Sequence, residues 1–125
     1  MQYRLIIAGG RDFNDAVLLA SVMEPVITNV TTQGLQLIII SGTARGADTL
    51  GARYARDNGI AVEEYPADWD RHGKSAGYKR NEQMADVADG VLVFWDGFSK
   101  GTKHMIDIAK RRQLELHIVK YKETK

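Results

Sequence analysis

The sequence predicts an α/β fold of three layers: an open, five-stranded, mostly parallel sheet with helices on both faces. Three observations predict it. Short apolar runs of strand length alternate with segments whose apolar residues recur at helical spacing. Of these runs the first, residues 3–8, is apolar on both faces and stops abruptly, as a strand buried in a parallel sheet does. Three of them end in a glycine-containing corner, Gly9-Gly10-Arg11, Ser41-Gly42-Thr43 and Asp96-Gly97-Phe98. The 125 residues suffice for one core, and no linker or low-complexity stretch interrupts them, so 1–125 reads as a single domain.

Residues 3–8 form the first strand, stopping at Gly9-Gly10. Asn14 is placed to cap the next helix, whose apolar face is Leu19, Val22, Val26 and Val30. Pro25 inside it predicts a kink or a local break, and Gly34 ends the unit. Residues 35–40 are the second and most apolar strand. The helix opening at Gly46 puts Ala47, Leu50, Gly51, Tyr54 and Ala55 on one face, small enough for close packing on a sheet, and Gly59 stops it. Residues 60–65 are the third strand, ended by Pro66. A polar loop, 67–75, precedes a third helix that starts near Ser75 and turns Met84, Val87 and Ala88 inward. Residues 91–95 are the fourth strand. The fourth helix buries Met105, Ile108, Ala109 and the stem of Arg112. Residues 115–119 are the fifth strand, and 120–125 a frayed polar tail.

Composition narrows the function. Hydrophobic residues are 44% and charged residues 26%, a soluble globular balance. With 17 Lys+Arg against 16 Asp+Glu, the formal charge of +1 gives no bulk attraction for long nucleic acid. Cysteine is absent, which excludes disulfides and thiolate chemistry and fits a cytoplasmic setting. No apolar run approaches bilayer length, so no membrane partner is expected, and no signal-peptide pattern opens the chain. His72, His104 and His117 lack metal-ligand spacing, and neither a metal nor a cofactor is expected. There is no nucleophile elbow or Ser-His-Asp order. The basic run Lys110-Arg111-Arg112 suits a helix C-terminus.

In a parallel sheet the three corners share the carboxyl edge, where ligands bind at the point of strand-order reversal. Gly9-Gly10-Arg11-Asp12 fits a phosphate cradle with Arg11 as clamp, and equally a tight turn that needs the same glycines. Ser41-Gly42 with Arg45-Gly46, a strand end running into a helix start, favours an anion more specifically. Asp48, in the first turn, suits the helix dipole, a partner for Arg45, or a ribose hydroxyl. Spacing alone puts Arg80 and Asn81 on a solvated helix face. Ser99, Lys100 and Gly101-Thr102 gather hydroxyls, a cation and a helix start, which suits a second anion contact. Trp69 and Trp95 suit stacking on a base or filling the core.

Together these stretches, with Pro66-Ala67-Asp68-Trp69 and Ala76-Gly77-Tyr78-Lys79-Arg80-Asn81-Glu82-Gln83-Met84, resemble the YspA, cpYpsA-related family of the SLOG superfamily over nearly the whole chain. The resemblance implies a Rossmann-like domain that binds a nucleotide or nucleotide-derived ligand, to sense, carry or sequester it. On that footing Arg11, Arg45 and Arg80 meet anionic oxygens, and Gly9-Gly10, Ser41-Gly42 and Gly101-Thr102 lie against phosphate or ribose. Asp48 and Asp96 take hydroxyls, and Trp69 or Trp95 covers a ring. Two related groups imply alternatives. The Lonely-Guy phosphoribohydrolases, which cleave nucleoside monophosphates, carry Arg-Lys-x-x-Met and Gly-Gly-x-Gly-Thr-x-x-Glu. Arg80, Met84 and Gly101-Thr102 match these, but Met105 stands at the Glu position and Asp107 faces elsewhere on the helix. Arg80 and Asp96, or Asp48, are then the candidate catalytic groups. The recombinase-loading DNA-processing protein carries Ser-Gly-x-Ala-Arg-Gly-Ile-Asp, similar to residues 41–48. That likeness implies a single-strand binder, with Trp69, Tyr78 and Trp95 as the obvious stackers. The relatives are homo-oligomers, commonly dimers, and the same is expected here.

Overall fold

The computed structural model describes residues 1–122; of the expected tail, 123–125 lie outside the described residues. The elements are β1 (Gln2–Gly9), α1 (Ala16–Thr32), β2 (Gln36–Ser41), α2 (Ala47–Asp57), β3 (Ala61–Glu64), α3 (Trp69–His72), a 3-10 turn (Gly73–Ser75), α4 (Ala76–Val87), β4 (Gly90–Trp95), α5 (Lys100–Arg111) and β5 (Glu115–Lys120). All strand pairs are parallel, in the order β3-β2-β1-β4-β5. The chain steps outward from β1 to β3, then crosses back to β4 and β5. The order therefore reverses between β1 and β4, which are paired from Leu5 opposite Gly90 to Gly9 opposite Phe94. This is a Rossmann-like α/β fold, as predicted.

The two-residue period of β1 divides the core. Leu5 and Ile7 point to one face, with Leu19, Met23 and Val30 of α1, Ala47 and Ala55 of α2, and Leu92 and Phe94 of β4. Ile6 and Ala8 point to the other, with Met84 of α4 and Met105, Ile106 and Ala109 of α5. Each large side chain fully withdrawn from water contributes about 1.5–3 kcal/mol. Gly51 brings α2 close to the sheet: a Cβ there would stand 2.7 Å from Ile7 Cγ2.

Several expectations are corrected. Asp15, not Asn14, caps α1, its Oδ1 accepting from Leu18 N at 2.9 Å. Helix α1 runs unbroken through Pro25; Pro25 and Ser21, whose carbonyl loses its partner, are both exposed, so water can satisfy that carbonyl. Part of the 67–75 loop is helical: Asp68 Oδ1 accepts from Arg71 N at 3.1 Å and starts α3. Arg112 contributes more than a stem, pairing with Glu82 at 2.6 Å and with Asp86 to tie α5 to α4. Tyr121 is no part of a frayed tail. Its ring meets Phe13 edge-on at 4.9 Å, and Phe13 stacks on Phe94 at 4.4 Å.

Candidate functional site

A cavity of about 540 Å³ opens at the carboxyl end of the sheet, over the β1–β4 reversal. Its wall from the β1 corner is Gly9, Gly10, Arg11 and Asp12; from α4 come Arg80 and Asn81, and from β4–α5 Asp96, Ser99, Gly101 and Thr102. Asp48 lines it from α2 and Trp69 from α3. Those twelve predicted residues converge. Ser41, Gly42, Arg45, Gly46 and Trp95, also predicted, are not among the lining residues, whereas Lys74, Gly77 and Tyr78 join them.

Each displaced residue has a physical reason. Gly46 has φ +80°, and a Cβ on it would stand 2.1 Å from Gly10 O. That carbonyl accepts from Ala47 N at 3.2 Å, so the start of α2 is docked onto the β1 corner. Gly46 is thus a packing glycine. Ser41 lies beneath the cavity, its Oγ accepting from Thr43 N at 3.2 Å and donating to Asp48 O at 3.4 Å. Gly42 backs two lining side chains: a Cβ there would stand 2.6 Å from Arg80 Nη1 and 2.7 Å from Asp48 Oδ2. Arg45 is exposed and lies off the cavity, so Arg11 and Arg80 meet there without it. Trp95 Nε1 donates to Ser99 O at 3.2 Å and Lys120 Nζ sits 5.5 Å above its ring, so the indole braces the β4–α5 corner. Trp69, by contrast, lines the cavity with 52% of its surface exposed.

The polar floor joins the β2 corner to α5. Asp48 is only 4% exposed, and its Oδ2 accepts from Ala44 N at 3.4 Å. The peptide N–H groups of Gly42 and Gly9 also act on this carboxylate. The amides that the sequence offers to a phosphate are therefore turned onto the chain's own Asp48. Burial pushes its pKa from 3.8 to about 6, against the opposing pull of Arg80 and these three amides. Arg80 Nη1 donates to Gly42 O at 2.5 Å, and Nε to Asn81 Oδ1 at 3.1 Å. Burial draws the Arg80 pKa down, and Asp48 partly restores it. Asn81, 6% exposed, reaches Gly101 O at 3.4 Å and His104 Nδ1 at 3.2 Å through Nδ2. His104 in turn packs on the Tyr78 ring at 4.4 Å, and burial lowers its pKa. Arg80 and Asn81 are thus structural links across the cavity, not a solvated helix face.

On the other side, Asp96 Oδ1 accepts from Phe98 N and Ser99 N, both at 2.8 Å, which holds its pKa below the ordinary carboxylate value. Ser99 caps α5, accepting from Thr102 N at 3.4 Å, with Thr102 Oγ1 3.1 Å from its Oγ. Tyr121 crosses the β1 corner and donates to Asp12 Oδ1 at 2.5 Å. A Cβ on Gly10 would stand 1.8 Å from that hydroxyl. No local signal announces Tyr121, because its partners lie at the opposite end of the chain. The cavity combines guanidinium and ammonium groups for anions with carboxylates for hydroxyls or amines. Among the described residues, no group of three or more His, Cys, Asp or Glu is placed to hold a metal ion. No described helix is long and apolar enough to cross a membrane.

Comparison with known proteins adds two findings. The model of the YspA, cpYpsA-related SLOG family matches residues 3–72, which carry β1 through α3. Over 114 residues the chain is 35% identical to the Gene 61 protein of Mycobacterium phage D29, covering 86% of this chain and 89% of that protein. No solved structure matches significantly.

Proposed function

The chain belongs to the YspA, cpYpsA-related SLOG family, and from that premise we propose that it binds a nucleotide or nucleotide-derived ligand in the cavity over the β1–β4 reversal. Membership suggests a nucleotide-related role for the Rossmann-like domain. One observation carries the reading: Arg11, Arg80, Asp48, Asp96 and Trp69, drawn from five separate segments, line one hollow at the place where parallel α/β sheets take ligands. Arg11 and Arg80 would meet phosphate, Asp48 and Asp96 hydroxyls, and Trp69 a base. Such a protein would sense, carry or sequester its ligand. Mass spectrometry of the purified protein for a retained nucleotide, with calorimetric titration of a nucleotide panel, tests it. Absence of both a retained compound and any heat at millimolar ligand rejects it.

Asp48 favours a second reading, hydrolysis of an N-glycosidic bond. It is a buried carboxyl beside an arginine, and its pKa of about 6 suits proton transfer near neutrality. Water would add to ribose C1′ as the C1′–N bond breaks; Asp48 would take the water's proton, and the base would leave with the bonding pair. Asp96, held ionised by two N–H groups, suits ligand orientation better. Chromatography of nucleoside monophosphates incubated with the protein checks this. No free base after long incubation rules it out.

A further inference from the structure

The charges on the cavity walls indicate which nucleotides it accepts, an inference that rests on the binding reading above. Three cations, Arg11, Lys74 and Arg80, face three carboxylates, Asp12, Asp48 and Asp96. The walls therefore offer no surplus positive charge. Arg80 and Asp48 are neighbours in the floor, since both stand within 2.7 Å of the place a Gly42 Cβ would take. A phosphate drawn to Arg80 thus comes close to a buried carboxylate, in surroundings where like charges are poorly screened.

Both groups retain capacity for a ligand. An ionised carboxylate offers about four acceptor positions, and the amides of Ala44, Gly42 and Gly9 account for no more than three on Asp48. A ligand hydroxyl can take the remainder. Arg80 spends Nε and Nη1 on Asn81 and Gly42. Its Nη2 stands 3.6 Å from where a Gly77 Cβ would sit, and Gly77 itself lines the cavity. A free phosphomonoester brings a charge of about −1.5 to −2 near neutral pH, which one such guanidinium with Arg11 or Lys74 can balance. A triphosphate brings far more, beyond what the three cations on these walls can balance.

The geometry points to a ligand of low phosphate charge: a nucleoside monophosphate, or a sugar nucleotide whose two phosphates bridge, with ribose hydroxyls toward Asp48 and nucleoside triphosphates excluded. Calorimetry of the full chain in metal-free buffer at about pH 7.5, where Asp48 is ionised, tests it. The probes are the mono- and triphosphates of the four common ribonucleosides, together with ADP-ribose. At least one monophosphate or ADP-ribose is expected to bind at least about tenfold more tightly than any triphosphate. Asp48→Asn is expected to narrow that ratio at least about threefold, because the triphosphate gains more from removing the charge. The same narrowing is expected of Asp48→Ser at the same pH, which serves if Asp48→Asn misfolds. A triphosphate bound as tightly as any monophosphate or ADP-ribose overturns the inference while leaving the binding reading intact. An unchanged ratio in the folded Asp48 variant, Asn or Ser, overturns the role of Asp48. No binding by any probe overturns the inference and the binding reading together.

Discussion

Asp48 and Asp96 face one cavity from matching places, each where a strand gives way to a helix, yet their surroundings move them in opposite directions. Asp48 is buried, and loss of water outweighs three amides and an arginine, raising its pKa to about 6. Asp96 is accessible, and the N–H groups of Phe98 and Ser99 at 2.8 Å lower its pKa. The Asp96 corner is stabilised by its charge. The Asp48 corner is held by packing, and its charge works against it. A carboxylate that destabilises the fold when ionised, yet faces a cavity, is a functional candidate on physical grounds. Six substitutions can break or sharpen this contrast.

The largest effect is expected from Gly46→Ala, which attacks the packing of the Asp48 corner. With φ +80° and Gly10 O 2.1 Å from the new Cβ, the corner must open. Stability measured by urea denaturation should fall by about 3 kcal/mol or more.

Asp48→Asn should act next, with a sign that depends on pH. Because the folded pKa is raised, the native state holds the proton more tightly. The resulting stability is fully present below about pH 4 and is lost as pH rises through about 6. Relative to Asp48→Asn, the unmodified protein should lose on the order of 2–3 kcal/mol between those limits, read by denaturation across pH. Asp96→Asn should show the reverse: its lowered pKa gives stability present above the unfolded value and lost as pH falls through the folded one. At this accessible position the difference should stay below about 1 kcal/mol. Matching slopes for the two variants would remove the contrast.

Gly101→Ala separates ligand space from fold space. Gly101 lines the cavity in the first turn of α5, and nothing lies within 4 Å of a Cβ placed there. Thermal melting should show stability unchanged or raised by about 0.5–1 kcal/mol, while nucleotide affinity falls. The smallest effect belongs to Arg45→Ala, within about 0.5 kcal/mol in stability and about twofold in affinity. Arg11→Ala, on the cavity wall, should cost at least about tenfold in affinity by calorimetry. Equal losses for the two arginines would return Arg45 to the site.

The sequence order of apolar runs and glycine corners is enough to assign the sheet, its helices and the edge that carries the cavity. Periodicity and turn chemistry are local, so Leu5 to Ala8 or Ile38 to Ile40 announce buried strands without outside help. It is also enough to nominate Arg11, Asp48, Asp96 and Gly101 as residues of the strand-to-helix corners. What each corner does is decided by contacts between distant segments. Arg80 reaches Gly42 across 38 positions, Asn81 reaches Gly101 across 20, and Tyr121 closes on Asp12 across 109. Only the tertiary structure shows that Gly46 serves packing, that Arg45 stands aside, and that the β2 corner's amides are spent on Asp48. Burial and charge proximity depend on which segments meet in space, and those quantities set which groups remain for a ligand.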